Sequence, residues 1–127
     1  MTTTTTTTTG LFIPADHTKP YEVRELDPSG LLESLQTTVG GYVEVAHLER
    51  EELDMYLNEE GKLSGQPFNK RATVVAFNLH WRHAQGDYIA GDVMVLGGPD
   101  DAGDNQGLTP GQVKLMTGIM DLSLIHI

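Results

Sequence analysis

The side chains best suited to chemistry lie near residue 80. His80 and His83 are close in sequence, and Asp87 and Asp92 follow in the same stretch. Imidazoles at this spacing on one helix face can share a divalent ion that activates water, which suggests a metal-assisted hydrolase built on His80, His83 and Asp92. The stretch lacks the His-Glu-x-x-His pattern of metalloproteases, and imidazoles at a helix end are more often surface groups. We therefore assign no metal ligand.

A second candidate is the loop at residues 97–107, which is rich in glycine and acidic residues. Its oxygen ligands suit Ca²⁺, but it lacks the alternating acidic positions and the bidentate glutamate of an EF-hand. It also lacks the Lys-Ser/Thr pair of a phosphate-binding loop. We expect a flexible acidic connection here and predict no cofactor.

Nucleophilic and acid–base catalysis find little support in the sequence. There is no cysteine, and Ser29, Ser34 and Ser64 have no nucleophile-elbow sequence around them. Glu59 and Glu60 are adjacent on a predicted turn, so they do not form a facing pair for acid–base work. No catalytic residue is predicted, and a non-enzymatic role is favoured.

Side chains beside strand ends and helix starts often gather in binding sites, and this pattern selects a patch of polar and aromatic residues. The patch contains Tyr42, Glu44, Asn58, Glu59, Asn69 and Arg71. Lys70 and Arg71 begin a predicted helix, where the macrodipole disfavours cations. The pair is either solvated or held for a partner or an anion.

The acidic composition limits the classes of partner. Eighteen Asp and Glu against eight Lys and Arg give a net charge of -10, which repels phosphate backbones, so direct nucleic-acid binding is not expected. Acidic surfaces suit basic protein partners or cations, although solubility alone explains the same charge. An acidic decoy that imitates DNA is an alternative, but apolar strands interrupt the stripe of carboxylates that it would need.

Targeting signals are not evident in the sequence. No apolar run is long enough to cross a bilayer, and the N-terminus has no signal-peptide pattern. We expect a cytoplasmic protein with no membrane association. The oligomeric state does not follow from the sequence.

Short strands and separate helices position the candidate residues. The order of these elements along the chain predicts an α+β fold. We expect a small mixed or antiparallel sheet of about five strands with two to three helices. The predicted strands are 11–13, 21–26, 42–46, 53–57 and the central, doubly buried 93–96, with 53–57 pairing with 62–63 as a hairpin.

Three helix starts carry capping signals. Asp27 before Pro28 starts the first helix, which Gly40 and Gly41 end. Asn69 starts the second helix, although 73–77 alone would also fit a strand. Thr109, Pro110 and Gln112 form a capping box that starts the third.

The two chain ends fall outside the predicted domain. Residues 1–10 are threonine-rich and predict a disordered tail, while residues 11–121 form the single domain. Residues 122–127 resemble a translated sequencing-library adapter, as in a metagenomic gene fragment. The natural protein is therefore expected to continue differently after Asp121.

Four segments together resemble a known family. They are Gly40-Gly41-Tyr42-Val43-Glu44-Val45, Asn58-Glu59-Glu60-Gly61-Lys62-Leu63, Asn69-Lys70-Arg71-Ala72-Thr73, and Gly91-Asp92-Val93 followed by Gly97-Gly98-Pro99-Asp100. In this order they are similar to domain of unknown function 3846, from about Leu11 to Met116. The resemblance implies a source in bacteria, their phages or mobile elements, and it implies no reaction and no site residue.

Overall fold

A computed structural model describes residues 6–81 and 87–125, with side chains through residue 122. Five strands are present: β1 (Thr8–Ile13), β2 (Glu22–Leu26), β3 (Val43–Leu48), β4 (Leu53–Asn58) and β5 (Val93–Gly97). The helices are a 3₁₀ turn (Pro28–Gly30), α1 (Leu31–Val39), α2 (Lys70–Asn78) and α3 (Pro110–Ile125). The strands form one antiparallel sheet in the order β2-β1-β5-β4-β3, so the predicted α+β class is confirmed.

The central strand β5 shows how the sheet separates two apolar layers. Val93 and Val95 point into the larger cluster, which includes residues of α2 and α3. Met94 and Leu96 point the other way and pack with Leu35 of α1. Because alternate residues of a strand face opposite sides, helices cover both faces and every residue of β5 is buried, as predicted.

Local capping signals start two of the helices where the sequence predicts them. The Asn69 side chain accepts from the N–H of Ala72 at the start of α2. At α3, Thr109 and Gln112 exchange side chain to N–H hydrogen bonds in both directions, which is the predicted capping box. Asp27 instead caps the 3₁₀ turn that precedes α1.

The N-terminal strand begins earlier than the predicted domain boundary. Thr8 and Thr9 were expected in a disordered tail, but they belong to β1 and pair with Leu26 and Glu25 of β2. The threonine hydroxyl of residue 9 also donates to the Glu25 carboxylate. Strand propensity is realised here because β2, which was predicted as a strand, pairs with these threonines as well as with residues 10–12.

The predicted hairpin between 53–57 and 62–63 is wrong. β4 pairs with β3 on one side and with β5 on the other, and residues 61–65 form turns. The real hairpin joins β3 to β4, with Val43 opposite Asn58 and Leu48 opposite Leu53. In the described part of the chain, no helix is long and apolar enough to cross a membrane.

Candidate functional site

The β3–β4 hairpin has a base, where β3 begins and β4 ends, and a turn at its other end. At the base, the N–H of Glu59 donates to the Tyr42 carbonyl over 2.9 Å. Asn58 is buried; its Nδ2 donates to the Val39 carbonyl, and its Oδ1 accepts from the N–H of Glu60. These bonds fix the chain after β4 and present Glu59 and Glu60 to solvent.

Four of the six predicted binding residues meet at this base: Tyr42, Glu44, Asn58 and Glu59. Together with Glu60 and Leu63 we call them the hairpin-base surface. Two adjoining clefts of about 340 and 290 Å³ lie in it and share Asn58 and Glu59 as lining residues.

Apolar side chains are unusually open at the hairpin base. Tyr42 is 75% exposed and Leu63 is 90% exposed, the two highest values among the large hydrophobic residues described. Leu63 lines one cleft with Tyr88, whose ring meets the ring of Phe68 edge-on at 5.8 Å. A cluster of open apolar groups with a polar rim is typical of an interaction surface.

The other two predicted residues are buried elsewhere. Asn69 is fully buried, and besides capping α2 its Nδ2 donates to the carbonyls of Ile13 and Gly91. Its role is structural because it satisfies backbone groups of two separate segments.

Arg71 was expected to be solvated or to meet a partner, but only 4% of it is exposed. Its guanidinium donates to the carbonyls of Pro14, Asp16 and Lys19 in the β1–β2 loop. Burial lowers the pKa of Arg71, and the negative charges that Tyr21 and Asp16 carry when ionised oppose that shift. Arg71 therefore holds a loop of its own chain.

A polar network that the sequence analysis missed lies near the turn of the hairpin. The His47 Nδ1 is 2.7 Å from the Asp54 Oδ1. The Asn105 Nδ2 donates to the Asp54 Oδ2 and to the Gly97 carbonyl. The Tyr56 hydroxyl donates to the Asn105 Oδ1 over 2.5 Å. We call His47, Asp54, Tyr56 and Asn105 the hairpin-turn network.

This network joins an exposed imidazole to buried polar groups. The His47 side chain is 72% exposed, whereas that of Asp54 is 8% exposed. Burial raises the pKa of Tyr56, and the nearby Asp54 charge adds to that rise. With its Nδ1 held by a carboxylate, His47 has the orientation of a general base.

The surroundings of His47 supply little else for catalysis. It lines a cleft of about 460 Å³ with Thr109, whose hydroxyl already accepts from the N–H of Gln112. The N–H groups of Gly97 and Gly98, which also line the cleft, donate to backbone carbonyls. Among the described residues lining this cleft, neither an activated hydroxyl nor an oxyanion-binding N–H pair stands beside the imidazole.

Part of this network could have been predicted from the sequence if β3 had been paired with β4. His47 and Asp54 lie directly opposite each other in the β3–β4 register. Once that hairpin is known, the two side chains must lie on one face of the sheet. The assignment of β4 to another hairpin concealed this pair.

The hydrolase hypothesis placed His80 and His83 on one face of a helix, and this placement is wrong for His80. α2 ends at Asn78, and His80 follows with a φ of 63°, while the N–H of Trp81 donates to the Ala76 carbonyl. This left-handed ending turns the chain away from the helix. His83 lies outside the described residues.

The carboxylates proposed as cation ligands also have internal partners. Asp92 accepts from the N–H of Ala15, and the Asp100 carboxylate accepts from the N–H groups of Ala102 and Asp104. Across residues 6–81 and 87–122, no three His, Cys, Asp or Glu side chains are grouped to hold a metal ion.

Comparison with known proteins classifies the chain. The family model described as Domain of unknown function (DUF3846) matches residues 8–121. The chain belongs to this family. No curated protein matches the DUF3846 chain, and no solved structure matches it.

Three of the segments that carry the resemblance meet at the hairpin base of this DUF3846 domain. A side chain on Gly41 would lie 2.9 Å from Asn58, and one on Gly61 would lie 3.1 Å from the Ala90 carbonyl. Gly91 has a φ of +82°, and a Cβ there would clash with the Gln66 Oε1. Close approach of these segments builds the floor beneath the exposed surface.

Proposed function

We propose that this DUF3846 domain is a non-enzymatic accessory domain that binds another protein through the hairpin-base surface. The observation that carries the proposal is the exposure of Tyr42 and Leu63, at 75% and 90%, on a hydrogen-bonded base. Tyrosine is among the side chains that contribute most to protein association when a partner buries them, and an exposed leucine beside it adds apolar surface to be buried.

The rigidity of the base supports the same proposal. Asn58 fixes the chain that carries Glu59, and the Glu59 N–H ties that chain to Tyr42. A surface that is already ordered loses less conformational entropy on binding than a loose loop does. Binding would therefore need little rearrangement of the backbone.

We infer a cytoplasmic role in a bacterium, phage or mobile element. The source is the one that the family resemblance implies, and a chain without cysteine suits a reducing compartment. The acidic DNA decoy and the metal-assisted hydrolase remain alternative predictions.

Site-specific photo-crosslinking tests the proposal. A photoreactive phenylalanine analogue replaces Tyr42 or Leu63 in the full chain, and cells of the source organism are irradiated. Val23 is the matched control, because it is 53% exposed but lies on β2 at the opposite edge of the sheet. We expect the same discrete protein adduct from positions 42 and 63 and none from position 23.

The proposal predicts a further result once the adduct is identified by mass spectrometry. The double substitution Tyr42→Ala and Leu63→Ala should weaken binding of the purified partner by about 100-fold, since two anchors are lost. No adduct, the same adducts from all three positions, or unchanged affinity of the double variant would each refute it.

A further inference from the structure

At the hairpin base the cation has an ion-pair partner, whereas the carboxylates of the surface have none among the described residues. Lys62 forms an ion pair with Asp87 and lies over the Tyr88 ring at 4.7 Å. Glu44, Glu59 and Glu60 are exposed and form no ion pair within the described residues. The surface thus presents unneutralised carboxylates beside its apolar groups.

The opposite edge of the sheet has a different charge pattern. On β2, Arg24 is paired with Glu22 at 3.0 Å and lies over the Phe12 ring at 3.8 Å. The Arg24 cation also covers an aromatic face, and the exposed Glu25 on the same strand accepts hydrogen bonds from the hydroxyls of Thr7 and Thr9. The hairpin base differs because, within the described residues, its exposed carboxylates form neither an ion pair nor a side-chain hydrogen bond and lie beside open apolar side chains.

We propose that the partner of the hairpin-base surface is a basic protein segment, rich in Lys or Arg and carrying aliphatic or aromatic side chains. This inference rests on the proposed protein-binding function and adds the chemistry of the partner. The unpaired carboxylates attract cations, and Tyr42 and Leu63 supply the apolar contact.

The same charges disfavour other occupants. An acidic protein or a nucleic acid would bring more negative charge against Glu44, Glu59 and Glu60. A second copy of the chain, packed about a twofold axis through this surface, would bring the same acidic patch of both copies into one interface and crowd their carboxylates together. Only a basic segment neutralises the rim while it covers the apolar groups.

Labelled peptides test this inference with the full chain. The probe alternates Lys with Leu, and two matched peptides replace every Lys by Glu or every Leu by Gly. Fluorescence anisotropy over a salt series measures affinity. We expect saturable binding of the Lys-Leu peptide, weaker binding of the Lys-Gly peptide, and no binding of the Glu-Leu peptide.

Charge-matched variants locate the binding. The base variant carries Glu44→Gln, Glu59→Gln and Glu60→Gln. The control variant carries Glu33→Gln, Asp101→Asn and Asp104→Asn, exposed carboxylates elsewhere with the same total charge. The base variant should bind about tenfold more weakly with a shallower salt dependence, and the control should change less than about twofold.

Each outcome decides the inference. Equal losses in the two variants would show non-specific attraction to an acidic chain and overturn it, as would tight binding of the Glu-Leu peptide or no saturable binding at all. If position 42 crosslinks to a neutral or acidic protein, the proposed function stands and only the basic partner is rejected. If no position crosslinks, the proposed function itself fails.

Discussion

The two ends of the β3–β4 hairpin use their polar groups differently. At the turn, Asp54 is enclosed by His47 and Asn105, so the groups that resemble a catalytic set satisfy one another. At the base, Glu59 and Tyr42 are joined through their backbones while their side chains stay open. A cluster of polar side chains can therefore serve only to hold the fold, and a binding surface is better sought where side chains have no partners within the chain.

The largest loss of stability is expected for a substitution that breaks the hairpin-turn network. Asn105→Ala removes the acceptor of Tyr56 and the donor to Asp54 and Gly97. Because partly buried polar groups lose their partners, the free energy of unfolding should fall by about 3 kcal/mol, as measured by urea denaturation. The exposed neighbour Asp104→Ala should change it by no more than about 0.5 kcal/mol. If the two variants lost the same free energy of unfolding, the network would not stabilise the fold more than an exposed side chain does.

A smaller effect, with a defined pH dependence, is expected for Tyr56→Phe. At neutral pH the lost hydroxyl should lower the free energy of unfolding by about 1.5 kcal/mol. The folded state raises the pKa of Tyr56 above its ordinary 10.0, so the unfolded chain loses this proton first as the pH rises. The wild type then loses stability above about pH 10, and the variant lacks this loss.

The difference between the wild type and Tyr56→Phe should therefore shrink as the pH rises above about 10, when urea denaturation is repeated at increasing pH. Below the ordinary pKa, the contribution of the protonated hydroxyl is fully present. A difference that grows with pH would contradict the assigned environment of Tyr56.

The capping box of Thr109 and Gln112 should contribute less to the free energy of unfolding than the Tyr56 hydroxyl does. Thr109→Ala removes the acceptor for the N–H of Gln112, and the free energy of unfolding should fall by about 1 kcal/mol. Thr117→Ala is a control within the same helix, since its exposed hydroxyl donates only to the Lys114 carbonyl. Thermal unfolding of the two variants would separate a cap from a surface hydroxyl, and matching midpoints would argue against the cap.

The smallest change in stability is expected at the base. Tyr42→Ala with Leu63→Ala should alter the free energy of unfolding by no more than about 0.5 kcal/mol, because both side chains are mainly exposed. The same urea denaturation checks this. A loss above about 1.5 kcal/mol would mean that these residues hold the fold, and the contrast between the two hairpin ends would disappear.

Local signals predicted much of the fold. Asn69 and the Thr109 capping box mark helix starts within a few residues of sequence, and the apolar run of β5 marks a buried strand. The error at β4 arose because the sequence after Asn58 resembles a hairpin turn, whereas the true partners are β3 and the distant β5.

The candidate site was only partly predictable, for the same reason. The sequence analysis placed Tyr42 and Glu59 in one patch because both lie beside strand ends, but it did not predict the β3–β4 pairing that joins their backbones. Arg71 could not be placed, because its acceptors are backbone carbonyls 52 to 57 residues earlier, and a carbonyl has no residue-type signature. The Asn105 contact with Asp54 spans 51 residues and depends equally on the tertiary fold.

The position of β5 in the sheet has a consequence for synthesis on the ribosome. β1 pairs with β2, and β3 pairs with β4, so each pair can form as soon as its own strands emerge. β5 lies between these pairs but comes after them in the chain, and it alone bridges β1 and β4. Until Val93–Gly97 emerges, β1 and β4 lack the strand that joins them, and any hairpin formed earlier keeps an edge open to pairing with other chains.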